Sequence, residues 1–206
     1  MKTPCRYIQS ALFFLGFAGL SIPAAGQMSY QDSLQERMQT FIESQQDSFE
    51  MQEFNLPQRD LGGIDETDFS WQERFRFKSE NRVPNNFGGK GRTKIYFHIF
   101  GYESLRDRQY ALQYWMDNFI EDGRVRAGRT TRSLEGAEPT IILINDRAII
   151  TLNMDCKYYF RDSYERWQEQ LREHFEQEGT MVLELFCDGP LEWTHNAPDP
   201  KTRGLF

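Results

Sequence analysis

The sequence predicts an α+β domain built on a four-stranded antiparallel sheet with two helices on one face, and three observations lead there. Between Lys94 and Cys187 the apolar period switches back and forth between about two and about 3.6 residues. The segments so marked run strand, helix, strand, strand, helix, strand. The middle strands are separated by Asn145-Asp146-Arg147 alone, a tight turn that makes them a hairpin.

Each element has its own warrant. Lys94 to Phe100 is rich in β-branched and aromatic residues and predicts the first strand. Ser104-x-x-Asp107 then opens a helix that gathers Leu105, Leu112, Trp115, Met116 and Phe119 on one side before Gly123 ends it. A polar loop leads to Thr140–Ile144, and the turn returns the chain through Ala148–Met154. Asp162-x-x-Glu165 has the spacing of a capping box for a second helix, with Tyr164, Trp167, Leu171 and Phe175 inward and His174 at the border of that stripe. Gly179 introduces the last strand, Thr180 to Cys187. Two right-handed crossovers wrapped around a hairpin give the split βαβ, or ferredoxin-like, βαββαβ arrangement, with the first strand between the third and fourth. The likeness is one of element order and rests on no sequence motif.

Residues 1–26 read as a secretory signal peptide. Lys2 and Arg6 precede the apolar run Ile8 to Ile22, and Ala24-Ala25-Gly26 supplies the small residues of a cleavage site. The run is shorter than the ~20 residues of a spanning helix, so the expected product has no stable membrane span and is periplasmic or secreted. Cys5 precedes the apolar core and is not placed to be a lipoprotein's acylated cysteine. Cys156 and Cys187 remain, and in an oxidising compartment a matched pair predicts one disulfide.

Residues 27–91 form an N-terminal appendage, 92–190 the α+β domain and 191–206 an irregular tail. Ser29 to Gln46 spaces Leu34, Met38, Phe41 and Ile42 as one helical face. The stretch that follows is an irregular aromatic-rich segment, punctuated by Val83-Pro84, Asn85-Asn86 and Gly88-Gly89, with alternations at Phe69/Trp71 and Phe75/Phe77 that could form short strands. It is expected to fold across the free face of the sheet.

The 206 residues are 39% hydrophobic and 15% aromatic, with a net charge of −7 that the loss of the basic leader makes more negative. That balance, export, and a third strand without stacking aromatics exclude a nucleic-acid partner. No G-x-S-x-G, H-E-x-x-H or glycine-rich phosphate loop occurs, and no metal ligand set or cofactor is expected.

Strand alternation predicts one apolar face, Phe97, Ile99, Ile150, Leu152, Leu183 and Leu185, to lie beneath the helices. The opposite face carries Tyr96, His98, Phe100, Thr151, Asn153, Glu184 and Phe186, with His98 and Glu184 as lateral neighbours. That pair is the catalytic candidate, and the residues around it the ligand-binding candidates. Arg124, Arg126, Arg129 and Arg132 cluster in one loop and could clamp an anion. Trp193, His195 and Asp199 in the tail are too few to make a metal site.

Three functions are consistent with this reading. The first is an exported, non-enzymatic binding or envelope-assembly module whose partner is another envelope or secreted protein. The second is a small exported hydrolase or isomerase using His98 and Glu184. The third is a structural subunit that forms a homodimer through the Leu34/Met38/Phe41 face.

Overall fold

A computed structural model of the chain describes residues 29–53, 67–119 and 137–197. The expected signal peptide, the arginines 124, 126, 129 and 132 and the end of the tail with Asp199 lie outside them. In chain order the elements are α1 (Tyr30–Gln45), β1 (Phe49–Glu53), β2 (Trp71–Ser79), β3 (Val83–Pro84), β4 (Lys90–Gly91), β5 (Lys94–Gly101) and α2 (Leu105–Phe119). After them come β6 (Thr140–Ile144), β7 (Ala148–Met154), a 3-10 turn at Cys156–Tyr158, α3 (Arg161–Phe175), β8 (Met181–Leu185) and β9 (Leu191–His195).

Local chemistry sets the helix starts. Ser29 Oγ accepts from the Asp32 amide at 3.1 Å while Asp32 Oδ2 accepts from the Ser29 amide at 3.3 Å, a reciprocal cap that begins α1. Ser104 Oγ accepts from the Asp107 amide at 3.2 Å and starts α2. The expected capping box of α3 does not form: the helix begins at Arg161 behind Phe160, and Asp162 falls in its first turn.

The sheet corrects the four-stranded expectation. Seven strands pair antiparallel in the order β1-β2-β5-β7-β6-β8-β9, with β3 and β4 as a separate ribbon. Strand β8 pairs with β6, not with β5, whose other edge is taken by β2. The expected order would have left β6 at an edge. Every residue of β6, from Thr140 through Ile141, Ile142, Leu143 and Ile144, is buried, and so apolar a strand is unstable with one side of its ladder open to water. The aromatic segment expected to lie across the sheet instead extends it as β1 and β2, and part of the expected irregular tail closes the far edge as β9.

This order also separates the helices. The crossovers β5-α2-β6 and β7-α3-β8 each skip one strand and step the same way along the sheet, but β5 and β7 point in opposite directions. Right-handed connections then send α2 and α3 to opposite faces, whereas the ferredoxin-like order steps back and puts both on one face. On the α3 face, α1 and α3 pack together over Phe77, Phe97 and Ile150. Phe41 of α1 is fully buried there, its ring 5.8 Å from Phe77, 5.2 Å from Phe97 and 5.5 Å from Phe175. On the other face Leu112 and Trp115 of α2 cover Phe100, Ile142, Ile149, Leu183 and Leu191. The result is three layers with two separate cores.

Cys156 and Cys187 are bonded, with Cα atoms 5.5 Å apart. They follow β7 and β8, which flank β6, and β6 begins only at Thr140, so beyond that point nothing separates the two chains. The Asp188 amide donates to the Ala137 carbonyl at 3.1 Å across the same closure.

Two stability measurements follow from this packing. Phe41→Ala empties the contact between α1, α3 and the sheet and is expected to lower unfolding stability by about 3–5 kcal/mol in urea titration; a loss under about 1 kcal/mol would mean that α1 does not belong to the core. Replacing both Cys156 and Cys187 by Ser opens a loop with a sequence separation of 31. It is expected to cost about 3–4 kcal/mol, and the wild type under reductant should show the same loss.

Candidate functional site

The structure divides the residues that the alternation had placed together. Tyr96, His98, Phe100, Thr151 and Asn153 share the α2 face, because His98 registers with Thr151 and Tyr96 with Asn153. Glu184 registers with Ile141, and Ile141 with Leu152 and Phe97, which puts it on the α3 face. Leu183 and Leu185 exchange faces with it. Phe186 packs on the α3 side as well, its ring 5.9 Å from Tyr164. The alternation is therefore in phase through β5 and β7 and one residue out of phase in β8. His98 and Glu184 are not brought together.

Each of the two is satisfied or held in its own layer. His98 is fully buried, its ring stacked at 9° to Phe100 and its Nδ1 3.5 Å from Thr151 Oγ1. Burial, with a smaller contribution from the Arg74 charge beside it, drives its pKa down to about 3, so the imidazole is neutral. Glu184 accepts from Gln168 Nε2 and, at 2.5 Å, from Thr194 Oγ1. Burial raises its pKa, opposed by hydrogen bonds from Thr194 and Tyr164. Around His98 lies a polar strip in which Asn153 Nδ2 donates to Thr140 Oγ1 at 2.9 Å and Arg76 Nη2 to Gln52 Oε1. His174 Nδ1 lies 2.8 Å from the Gln170 carbonyl, and His195 Nε2 3.2 Å from Glu176. Trp193 packs on the α2 core. Among the described residues no three His, Cys, Asp or Glu side chains converge as metal ligands, and no helix is long and apolar enough to cross a membrane.

A concavity lies elsewhere, between the start of α3 and the far end of the β2–β5 pair. It encloses about 630 Å³. Phe49, Val83, Ile95, Met154 and Trp167 give it apolar walls, and Asp47, Asn81, Asp162, Ser163 and Arg166 add polar groups. Such a mixture of apolar wall and few polar groups is the usual chemistry of a ligand pocket.

One wall is the arm that carries β3 and β4, and its loop is held by its own side chains. Asn85 Oδ1 accepts from the amides of Phe87 at 3.0 Å and Gly89 at 2.9 Å, and Gly88 takes a φ of 77°. Asn86 Nδ2 donates to the carbonyls of Cys156 at 3.2 Å and Tyr159 at 2.9 Å, and the Asn86 amide donates to the Lys157 carbonyl at 2.9 Å. Gly91 meets the same turn: a Cβ there would stand 2.0 Å from the Tyr158 hydroxyl. Asp155 caps that turn, accepting from the Lys157 amide at 2.8 Å, and the disulfide begins at its first residue.

Sequence reasoning marked Asn85-Asn86 and the glycines as turn signals only. The partners of Asn86 lie some seventy residues away, and no local pattern announces such a contact.

Comparison with known proteins finds no matching family model, no similar curated protein and no similar solved structure.

The buried imidazole gives stability a signed pH dependence. With a folded pKa of about 3 against 6.5 ordinarily, His98 takes up its proton mainly on unfolding. Its contribution is complete above about pH 6.5 and is lost as pH falls toward 3, at up to about 1.4 kcal/mol per pH unit. Glu184, raised by burial, acts in the opposite sense just above its ordinary value. His98→Leu is expected to flatten the slope of unfolding free energy between pH 6 and pH 4; an unchanged slope would place the acid sensitivity in other groups.

Proposed function

We propose that the protein is an exported, non-enzymatic binding module, periplasmic or secreted, whose ligand seats in the groove between the β3–β4 arm and α3. The observation that carries this reading is the groove itself, about 630 Å³ within a frame of strand ends, a helix start and a turn tied by the disulfide. A pocket of that size fits a ligand with an apolar, ring-bearing body. Phe49 and Trp167 supply aromatic surface for it, and Arg166 offers a single cation beside the carboxylates of Asp47 and Asp162.

The other readings lose their basis in the packing. Catalysis by a His98/Glu184 pair requires adjacent groups, and a seven-stranded sheet lies between the two side chains. Dimerisation through α1 requires a free apolar face, but Leu34, Met38, Phe41 and Ile42 are all buried within the chain's own core.

A suitable probe is 1-anilinonaphthalene-8-sulfonate, a ring-bearing anion of about 21 heavy atoms. At roughly 0.3 kcal/mol per atom it should bind one saturable site with a Kd in the tens of micromolar. Ser163→Trp, which fills the groove from a half-buried position, should weaken the probe at least ten-fold while the thermal midpoint holds. Equal binding by wild type and this variant would remove the groove as the site.

A further inference from the structure

The arm that walls the groove has an outer side with a different chemistry. Between Lys78 and Lys94 the chain carries Lys78, Arg82, Lys90, Arg92 and Lys94 against the single carboxylate of Glu80, in a protein whose net charge is −7. Lys78 is paired with Glu50 at 3.5 Å. The other four cations are exposed, and among the described residues none of them forms a salt bridge. Arg82, Lys90 and Arg92 gather around a shallow depression of about 500 Å³ with Glu80 and Asn81.

At the tip stands Phe87, 78% exposed, the most exposed large apolar side chain among the described residues. It is presented by a held loop: Asn85 fixes its amide and Asn86 anchors the neighbouring backbone to the 156–159 turn. Gly88 and Gly89 follow it, both exposed and without side chains to shield the ring. A rigidly displayed aromatic residue on a basic prominence is unfavourable in water and is satisfied by a partner that supplies apolar depth beneath a negative surface.

We propose that the Arg82–Arg92 arm is a docking element for an anionic lipid bilayer, with Phe87 entering the acyl boundary and Arg82, Lys90 and Arg92 lying against the phosphate headgroups. Shape and charge together select the bilayer over an acidic protein. The ring stands 78% exposed at the end of a short ribbon with glycines beside it, which a yielding lipid interface accepts without a preformed pocket of matching shape. The repulsion of the acidic remainder of the chain then keeps contact confined to the arm.

The test uses the full chain, its leader common to every variant, in co-sedimentation with vesicles of phosphatidylcholine alone or with 30% phosphatidylglycerol. Binding to the anionic vesicles should exceed binding to the neutral ones and fall at least ten-fold between 50 and 200 mM salt. Arg82→Glu/Lys90→Glu/Arg92→Glu should weaken it about 100-fold and Phe87→Ser about ten-fold, both with the wild-type thermal midpoint. Phe87→Trp should be quenched by brominated phosphatidylglycerol beyond the quenching of the wild-type tryptophans, a readout of tip insertion independent of the leader. An unquenched Trp at position 87 would overturn the proposal, as would binding that ignores the charge reversals. Capture by soluble polyglutamate as strong as by vesicles, and indifferent to Phe87→Ser, would overturn it too, by making the arm a general polyanion site.

Discussion

Strand β6 carries hydrogen-bond ladders on both sides, to β7 and to β8, and the rest of the architecture depends on that placement. With β6 interior, both crossovers step in the same direction, and a fixed handedness of connection sends α2 and α3 to opposite faces. Two-sided covering then requires two cores, one gathered around Phe41 and Phe97 and one around Trp115 and Phe100. It also decides the parity of β8, so that Leu183 faces α2 while Glu184 faces α3. A single strand placement thus settles the layers, the cores and the separation of the two ionisable groups.

Much of this was legible locally and little of it globally. The spacing of Leu34, Met38, Phe41 and Ile42 marked α1 almost to its ends, and the Asn145-Asp146-Arg147 turn marked the hairpin, because helical faces and tight turns are written within a few residues. Strand order is not written that way. The clue was present in Thr140-Ile-Ile-Leu-Ile144, a run without polar alternation, which belongs to a strand covered on both faces and paired on both sides. Reading alternation into Leu183-Glu184-Leu185 instead placed Glu184 beside His98, an error of one residue in phase with the consequence of the wrong face. Phe75 and Phe77 carried the correct period-two signal for a strand, but the turn residues around them favoured an irregular reading.

The polar strip around His98 shows how a buried layer accommodates ionisable side chains. The imidazole is held neutral by burial and by the Arg74 charge, so it contributes shape and hydrogen-bonding capacity at neutral pH. Glu184, in the other layer, has polar partners on both α3 and β9, Gln168 and Thr194. A buried carboxyl so enclosed joins its helix to the sheet edge; its environment is that of a structural contact, since Gln168 and Thr194 both direct hydrogen bonds to it.

The groove and the basic arm are mechanically one unit. Asn86 ties the arm to the backbone of Cys156 and Tyr159, Gly91 lets the arm close against Tyr158, and the disulfide ties that turn to the end of β8. The 156–159 turn leads directly into the start of α3, where Ser163, Arg166 and Trp167 line the groove. The links are backbone carbonyls, the short amide of Asn86, a glycine against the Tyr158 side chain and a covalent bridge. The arm's outer and inner sides meet at Asn81, which lines both the basic depression and the groove. The two sides therefore share one backbone segment, and that segment is held against a turn closed by the Cys156–Cys187 bridge.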